Sequence, residues 1–211
     1  MSEVRKKARV ALFGVGINDA DYKTRRNFDI DGNKISATCP YYSTWSAMLR
    51  RCYDKAYINK NQRYKGCTVC KEWLVFSNFA KWMCEQDWSG KALDKDIKGE
   101  LLSDKIYSPD TCLFVTQKIN KVVAIGAKRV TKRPKRKNYE VYCKNPFKNS
   151  SNSFVGCYTT EEEANKAYFR TKIKYLTTTL YSLELNNYHE EEVRNSIICL
   201  ITYLQKDWTS F

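Results

Sequence analysis

The chain runs to 211 residues, of which 43% are hydrophobic, 14% aromatic and 28% charged; it is longer than one domain of about 100–150 residues and too apolar to be wholly disordered, so two packed units are expected. Lys and Arg number 37 against 23 Asp and Glu, a surplus of +14 that predicts an anionic partner, nucleic acid first and an acidic protein or anionic membrane second. No apolar run nears the roughly 20 residues of a bilayer span and residues 1–7 lack a signal-peptide core, so a soluble intracellular protein is expected, with no membrane partner.

In chain order, turn signals at Asn18-Asp19-Ala20-Asp21 and Asp31-Gly32-Asn33 alternate with apolar stretches such as Val10-Ala11-Leu12-Phe13 and Phe28-Asp29-Ile30, the pattern of a hairpin or two. After Cys39-Pro40, Trp45, Met48, Leu49 and Cys52 recur at i, i+3, i+4 and i+7 and predict an amphipathic helix, with Arg50 and Arg51 beside its stripe. A second helix is predicted over 73–85, with Trp73, Phe76, Phe79, Ala80 and Met83 on one side and Gly90 beyond as a breaker. Leu93-Asp94-Lys95-Asp96-Ile97, a polar loop, then Tyr107 to Val115 and Thr116 to Asn120 read as strand, loop, strand and helix start. Residues 1–121 are therefore expected to form one unit and 122–211 the other.

Seven cations fall within ten residues at Lys128, Arg129, Lys132, Arg133, Lys135, Arg136 and Lys137. They repel one another unless a counter-charge is near, which marks a boundary or a binding arm. Tyr139 to Cys143 alternates as a strand, 144–152 turns, and Ser153 to Tyr158 makes another strand. Thr160 and Glu163 have capping-box spacing, and Glu161 to Glu163 place acids where the helix dipole favours them. Ala164, Ala167, Tyr168, Thr171 and Tyr175 continue one face of that helix; a last helix, over about 190–205, carries Val193, Ile197, Leu200, Ile201 and Leu204.

The expected class is α+β: a ββα-containing N-terminal unit, then a three-stranded antiparallel sheet backed by a helix, with a C-terminal helix. Alternation along the middle strand puts Glu140, Tyr142 and Lys144 on the free face and Tyr139, Val141 and Cys143 toward the helix. A ribbon of this kind can enter a major groove, with cations on phosphates or guanine edges and aromatics on thymine methyls or sugars.

The stretch of roughly 124–175 resembles the APETALA-type (ethylene-response-factor) DNA-binding domain and its phage and homing-endonuclease relatives. The matching blocks are Gly126-Ala127-Lys128, Tyr139-Glu140-Val141-Tyr142-Cys143-Lys144-Asn145-Pro146, Phe154-Val155-Gly156-Cys157-Tyr158 and Thr160-Glu161-Glu162-Glu163-Ala164-Asn165-Lys166-Ala167-Tyr168. The resemblance implies DNA-facing side chains at Lys128, Tyr142, Lys144, Asn152 and Phe154, to which the cation cluster adds Arg129 and Arg133. The family's tryptophan and arginine positions are here Phe154, Tyr142 and Asn152, so its sequence preference does not carry over.

Residues 42–120 resemble phage proteins of the HNH-endonuclease type, through Trp45-Ser46-Ala47-Met48-Leu49-Arg50-Arg51-Cys52-Tyr53, Cys67-Thr68-Val69-Cys70-Lys71-Glu72-Trp73, Phe76-Ser77-Asn78-Phe79, Leu93-Asp94-Lys95-Asp96 and Tyr107-Ser108-Pro109-Asp110-Thr111-Cys112. The resemblance implies a ββα site holding one divalent metal, with Asn120 at the last position and Asp110 or Thr111 at the middle one. Lys95, flanked by Asp94 and Asp96, stands at the catalytic histidine position. A lysine with a pKa near 10.4 is protonated at pH 7 and makes a poor water-activating base. Asp94, Asp96 and Asn120 could still bind magnesium, with Asp96 as base.

Nine cysteines without a secretion signal are expected to be reduced thiols or metal ligands. Cys67 and Cys70 have zinc-knuckle spacing, with Cys39, Cys52 or Cys112 as further ligands of a structural zinc; buried free thiols are the other reading. His189, the single histidine, lies among acids at a helix start and reads as a cap-region residue rather than a base. The expected activity is binding of double-stranded DNA in the host cell cytoplasm by a phage-type protein derived from an HNH scaffold, with impaired catalysis. The alternatives are an active magnesium-dependent endonuclease or nickase, and a phage protein that binds and inhibits a host defence or transcription protein.

Overall fold

Helix and strand boundaries in this chain follow its apolar spacing where an element packs on a neighbour, and depart from it where a turn or bridge takes over. The computed structural model of the protein describes residues 11–30, 33–98, 105–124, 129–148, 153–183 and 188–209. In chain order the elements are β1 (Arg25–Ile30), β2 (Asn33–Thr38), α1 (Pro40–Tyr53), α2 (Lys55–Lys60), β3 (Thr68–Val69), α3 (Phe76–Cys84), β4 (Ala92–Asp94), β5 (Ile106–Tyr107), β6 (Leu113–Val115), α4 (Gln117–Val123), β7 (Val130–Arg133), β8 (Asn138–Cys143), β9 (Ser153–Tyr158), α5 (Glu161–Tyr181) and α6 (Tyr188–Thr209). The chain divides into two compact units, Met1–Gln86 with Lys105–Pro109, and Asp87–Asp104 with Asp110–Phe211.

In unit 1, β1 and β2 form the expected antiparallel hairpin; its turn residues Asp31 and Gly32 lie outside the described residues. Pro40 opens α1 with a preset φ, and the predicted stripe of Trp45, Met48, Leu49 and Cys52 is buried. Trp45 Nε1 donates to the Trp73 carbonyl at 2.7 Å. The helix expected over 73–85 begins only at Phe76, because Val75 is held extended in a parallel bridge to Ile17. Trp73 sits instead in a short 3-10 turn, Glu72–Leu74, with its ring 5.1 Å from Phe79 and 4.5 Å from Trp82. Gly16 is packed so closely under α1 that a Cβ there would stand 2.3 Å from Leu49 Cδ1. Helix α2 follows no apolar period in the sequence. Its six residues bury no side chain, and Asp54 starts it by accepting from the Tyr57 N–H at 3.1 Å.

In unit 2, β4 pairs antiparallel with β6, and Thr116 Oγ1 caps α4 by accepting from the Ile119 N–H at 3.3 Å. The strands β7, β8 and β9 form the expected three-stranded antiparallel sheet, in that order, packed against α5. The boundary expected at 121/122 falls inside this unit. Leu113, Val115, Ile119, Val122 and Val123 share one core with Val141, Cys143, Phe169 and Leu176, and with Val193, Ile197, Leu200 and Leu204 of α6.

Lys132 and Arg133 of the basic stretch are built into the sheet within β7, and Pro134–Arg136 turns the chain into β8. The predicted capping box of α5 is present: Thr160 Oγ1 accepts from the Glu163 N–H, and Glu163 Oε2 from the Thr160 N–H, both at 3.2 Å. Its buried face carries Ala164, Tyr168, Phe169, Lys172, Leu176 and Thr179, whereas Ala167, Thr171 and Tyr175 are half-buried. No described helix is long and apolar enough to cross a membrane.

Candidate nucleic-acid interface

Strand β8 divides its side chains as alternation requires. Val141 and Cys143 are buried in the core, with Tyr139 against it, while Glu140 and Tyr142 take the face away from α5. A register shift between Val141 and Tyr142 sets the partner strand: Val141 opposes Gly156, but Tyr142 opposes Phe154. The extra residue, Val155, packs toward the core. Without the bulge Val155 would oppose Tyr142 and Phe154 would turn inward. With it, Tyr142 and Phe154 meet edge to face with ring centroids 5.6 Å apart, and Phe154 is left 58% exposed.

The other end of this face is ionic. Arg133 Nε and Nη2 each lie 2.8 Å from Glu140 Oε2, which also accepts from the Tyr142 hydroxyl at 3.2 Å. The Arg133 hydrogen bond above all, then that of Tyr142 and the charges of Arg133 and Arg136, hold the Glu140 carboxyl below the usual range, against its burial. One acid thus fixes one guanidinium in orientation. In the adjoining turn Lys135, Arg136 and Lys137 are exposed, the last in a left-handed conformation with φ 52°, whereas Lys132 opposes Tyr139 on the other face, its ammonium 5.7 Å from that ring.

Of the DNA-facing residues expected from the sequence, Arg133, Tyr142 and Phe154 share the outer face. Lys144 follows β8, half-buried. Arg129 is engaged elsewhere, its guanidinium 4.8 Å from the Phe169 ring and 5.6 Å from that of Tyr168, on the α5 side. Lys128 and Asn152 lie outside the described residues, as does the side chain of His189. The role of Glu140 was missed; a carboxylate seven residues after Arg133, across a proline turn, was the available signal.

The residues proposed for metal chemistry sit at the β4 end and on α4. Asp94, 8% exposed, closes β4, and its Oδ1 accepts from the N–H groups of Asp96 at 2.8 Å and Ile97 at 2.9 Å. Burial, and then the nearby Asp96 carboxylate, push Asp94 up to about 6 against those two hydrogen bonds. Lys95 is ion-paired with Asp96, and Asn120 lies on α4, which packs against β4.

Asp94 Oδ1 and the Asp96 carboxylate are therefore already engaged, the first by backbone N–H groups and the second by Lys95. Cys67 is 3% exposed in the core of unit 1, and burial raises the half-buried Cys70 thiol. Among the described residues no three His, Cys, Asp or Glu side chains gather as a metal group. Comparison with protein-family models, curated proteins and solved structures found no match.

Proposed function

We propose that the protein binds double-stranded DNA through the outer face of its three-stranded sheet. The observation that carries this reading is the free face itself: an aromatic pair, exposed Phe154 and half-buried Tyr142, lies beside a hairpin whose turn holds Lys135, Arg136 and Lys137. A two-stranded ribbon fits a major groove about 12 Å wide. The hairpin cations neutralise phosphates and fix the register, while Arg133, preset by Glu140, and the aromatics face base edges and thymine methyls.

Affinity for a short duplex, read by fluorescence anisotropy, is expected to fall by roughly 10³ or more between about 50 and 200 mM salt. Replacing Lys128 and Lys144 together by Ala is expected to weaken binding several-fold more than Arg50→Ala; equal losses would move the interface to unit 1.

A second reading, a metal-dependent nuclease, is favoured by the β4–β6 hairpin with α4, which gathers Asp94, Lys95, Asp96 and Asn120 in one unit. Plasmid nicking in magnesium or manganese that is lost in Asp94→Ala and Asn120→Ala would support it. Plasmid left intact across metals would remove it.

A further inference from the structure

Unit 1 carries a second basic surface that the sheet-face reading does not use. Between residues 50 and 65 stand Arg50, Arg51, Lys55, Lys60, Arg63 and Lys65, against the single acid Asp54. Lys105 joins them, its Nζ donating to the Lys65 carbonyl at 3.0 Å. The arginines are not loose surface charges. Arg50 lies 4.8 Å from the Tyr57 ring centroid and Arg63 lies 4.8 Å from that of Tyr64, while the two tyrosine rings are 5.8 Å apart and tilted by 33°. Arg51, 5.9 Å from Tyr64, is drawn inward by a hydrogen bond to the buried Tyr107.

We propose that this Arg50–Tyr57–Tyr64–Arg63 ladder is a phosphate-backbone contact site for duplex nucleic acid, separate from the sheet face and independent of it. Stacking holds each guanidinium plane in place, so less side-chain freedom is lost when it grips an anion, and the N–H edges stay available for forked hydrogen bonds. Arg50 and Arg63 are both exposed; the one acidic neighbour, half-buried Asp54, meets Arg50 at 3.5 Å, too weak a contact to withdraw an exposed guanidinium from a phosphate. Tyr57 and Tyr64 are half-buried, and each has a guanidinium over its ring and the other ring beside it, which reduces the ring surface on which an unpaired base could stack. That favours the regular phosphates of a duplex over a single strand. Contacts of this kind position a protein without reading sequence.

The test uses the full chain and a short DNA duplex, with anisotropy measured across a salt series. Arg50→Gln with Arg63→Gln keeps planar side chains over the tyrosines and removes the charges. It is expected to make the slope of log affinity against log salt shallower by about 1.8, and to weaken binding by about 30-fold near 0.15 M salt, equally for unrelated sequences. Arg50→Lys with Arg63→Lys keeps the charges and is expected to keep the slope. An unchanged slope in the glutamine variant would overturn the proposal. So would equal loss in the lysine variant, which would show a structural role, or loss of binding to a polyglutamate peptide in place of DNA. The sheet-face reading fails separately, if variants of the β7–β8 hairpin bind like the parent while the glutamine variant still loses affinity.

Discussion

Replacing Lys135, Arg136 and Lys137 together by Ala is expected to weaken duplex binding by about two orders of magnitude near 0.15 M salt and to reduce the salt slope by about 2.7. All three side chains are exposed at the turn between β7 and β8, so their loss removes charge and no packing. Exposed substitutions of this kind change stability by about 0.5 kcal/mol or less. Lys137 already holds a left-handed conformation with φ 52°, and alanine meets the same backbone strain there as lysine, so the turn keeps its shape. Binding by the variant should weaken to the same degree on unrelated duplexes, because phosphates carry no sequence information. The anisotropy salt series reads both numbers, and a slope equal to the parent's would mean that the hairpin does not touch DNA.

Stability of unit 2 is expected to rise with pH between about 8 and 10.4 by up to roughly 3 kcal/mol, and Lys172→Met is expected to abolish that rise. Lys172 is 1% exposed on the core face of α5, and its Nζ donates to the Ala124 carbonyl, the C-cap of α4, at 2.7 Å. Burial lowers the ammonium to about 8; Cys143 opposes the shift and the like charge of Lys144 adds to it.

Between those two pH values the unfolded chain holds a proton that the folded chain has released, so raising the pH favours the folded state. Below about pH 8 both states are protonated and this group contributes no pH dependence. Methionine fills a similar volume without a charge, but leaves the Ala124 carbonyl without its lysine donor, a loss of about 1 kcal/mol that partly offsets the gain near neutral pH. Urea unfolding of parent and variant at about pH 7, 8.5 and 10 isolates the lysine, since groups common to both cancel in the difference. Parallel stability curves would show that Lys172 does not titrate in this range.

Local signals in the sequence were sufficient where an element's neighbours along the chain determine it. The Trp45, Met48, Leu49 and Cys52 stripe specified the buried face of α1, and Thr160 with Glu163 specified the start of α5. Alternation along β8 specified which side chains enter the core. Other features depend on residues far apart in the chain. The start of α3 depends on Ile17 bridging to Val75, which no local period records. Arg129 reads as one more cation of a basic stretch, yet stacks on Phe169, forty residues on. Helix α2 buries no side chain and so leaves no apolar period to find.

By itself the sequence determined the α+β class, the sheet backed by a helix, the net charge of +14 and the basic stretch. Each of these rests on periodicity or composition, which act over a few residues or over the whole chain. Only the tertiary structure decided that the basic stretch is split between a strand and a turn, that Glu140 pins Arg133, and that a one-residue bulge keeps Phe154 in solvent. It also placed Lys172 under the sheet and stacked Arg50 and Arg63 on Tyr57 and Tyr64. These arrangements come from register and from packing between elements, and the energy that selects them appears only once those elements meet.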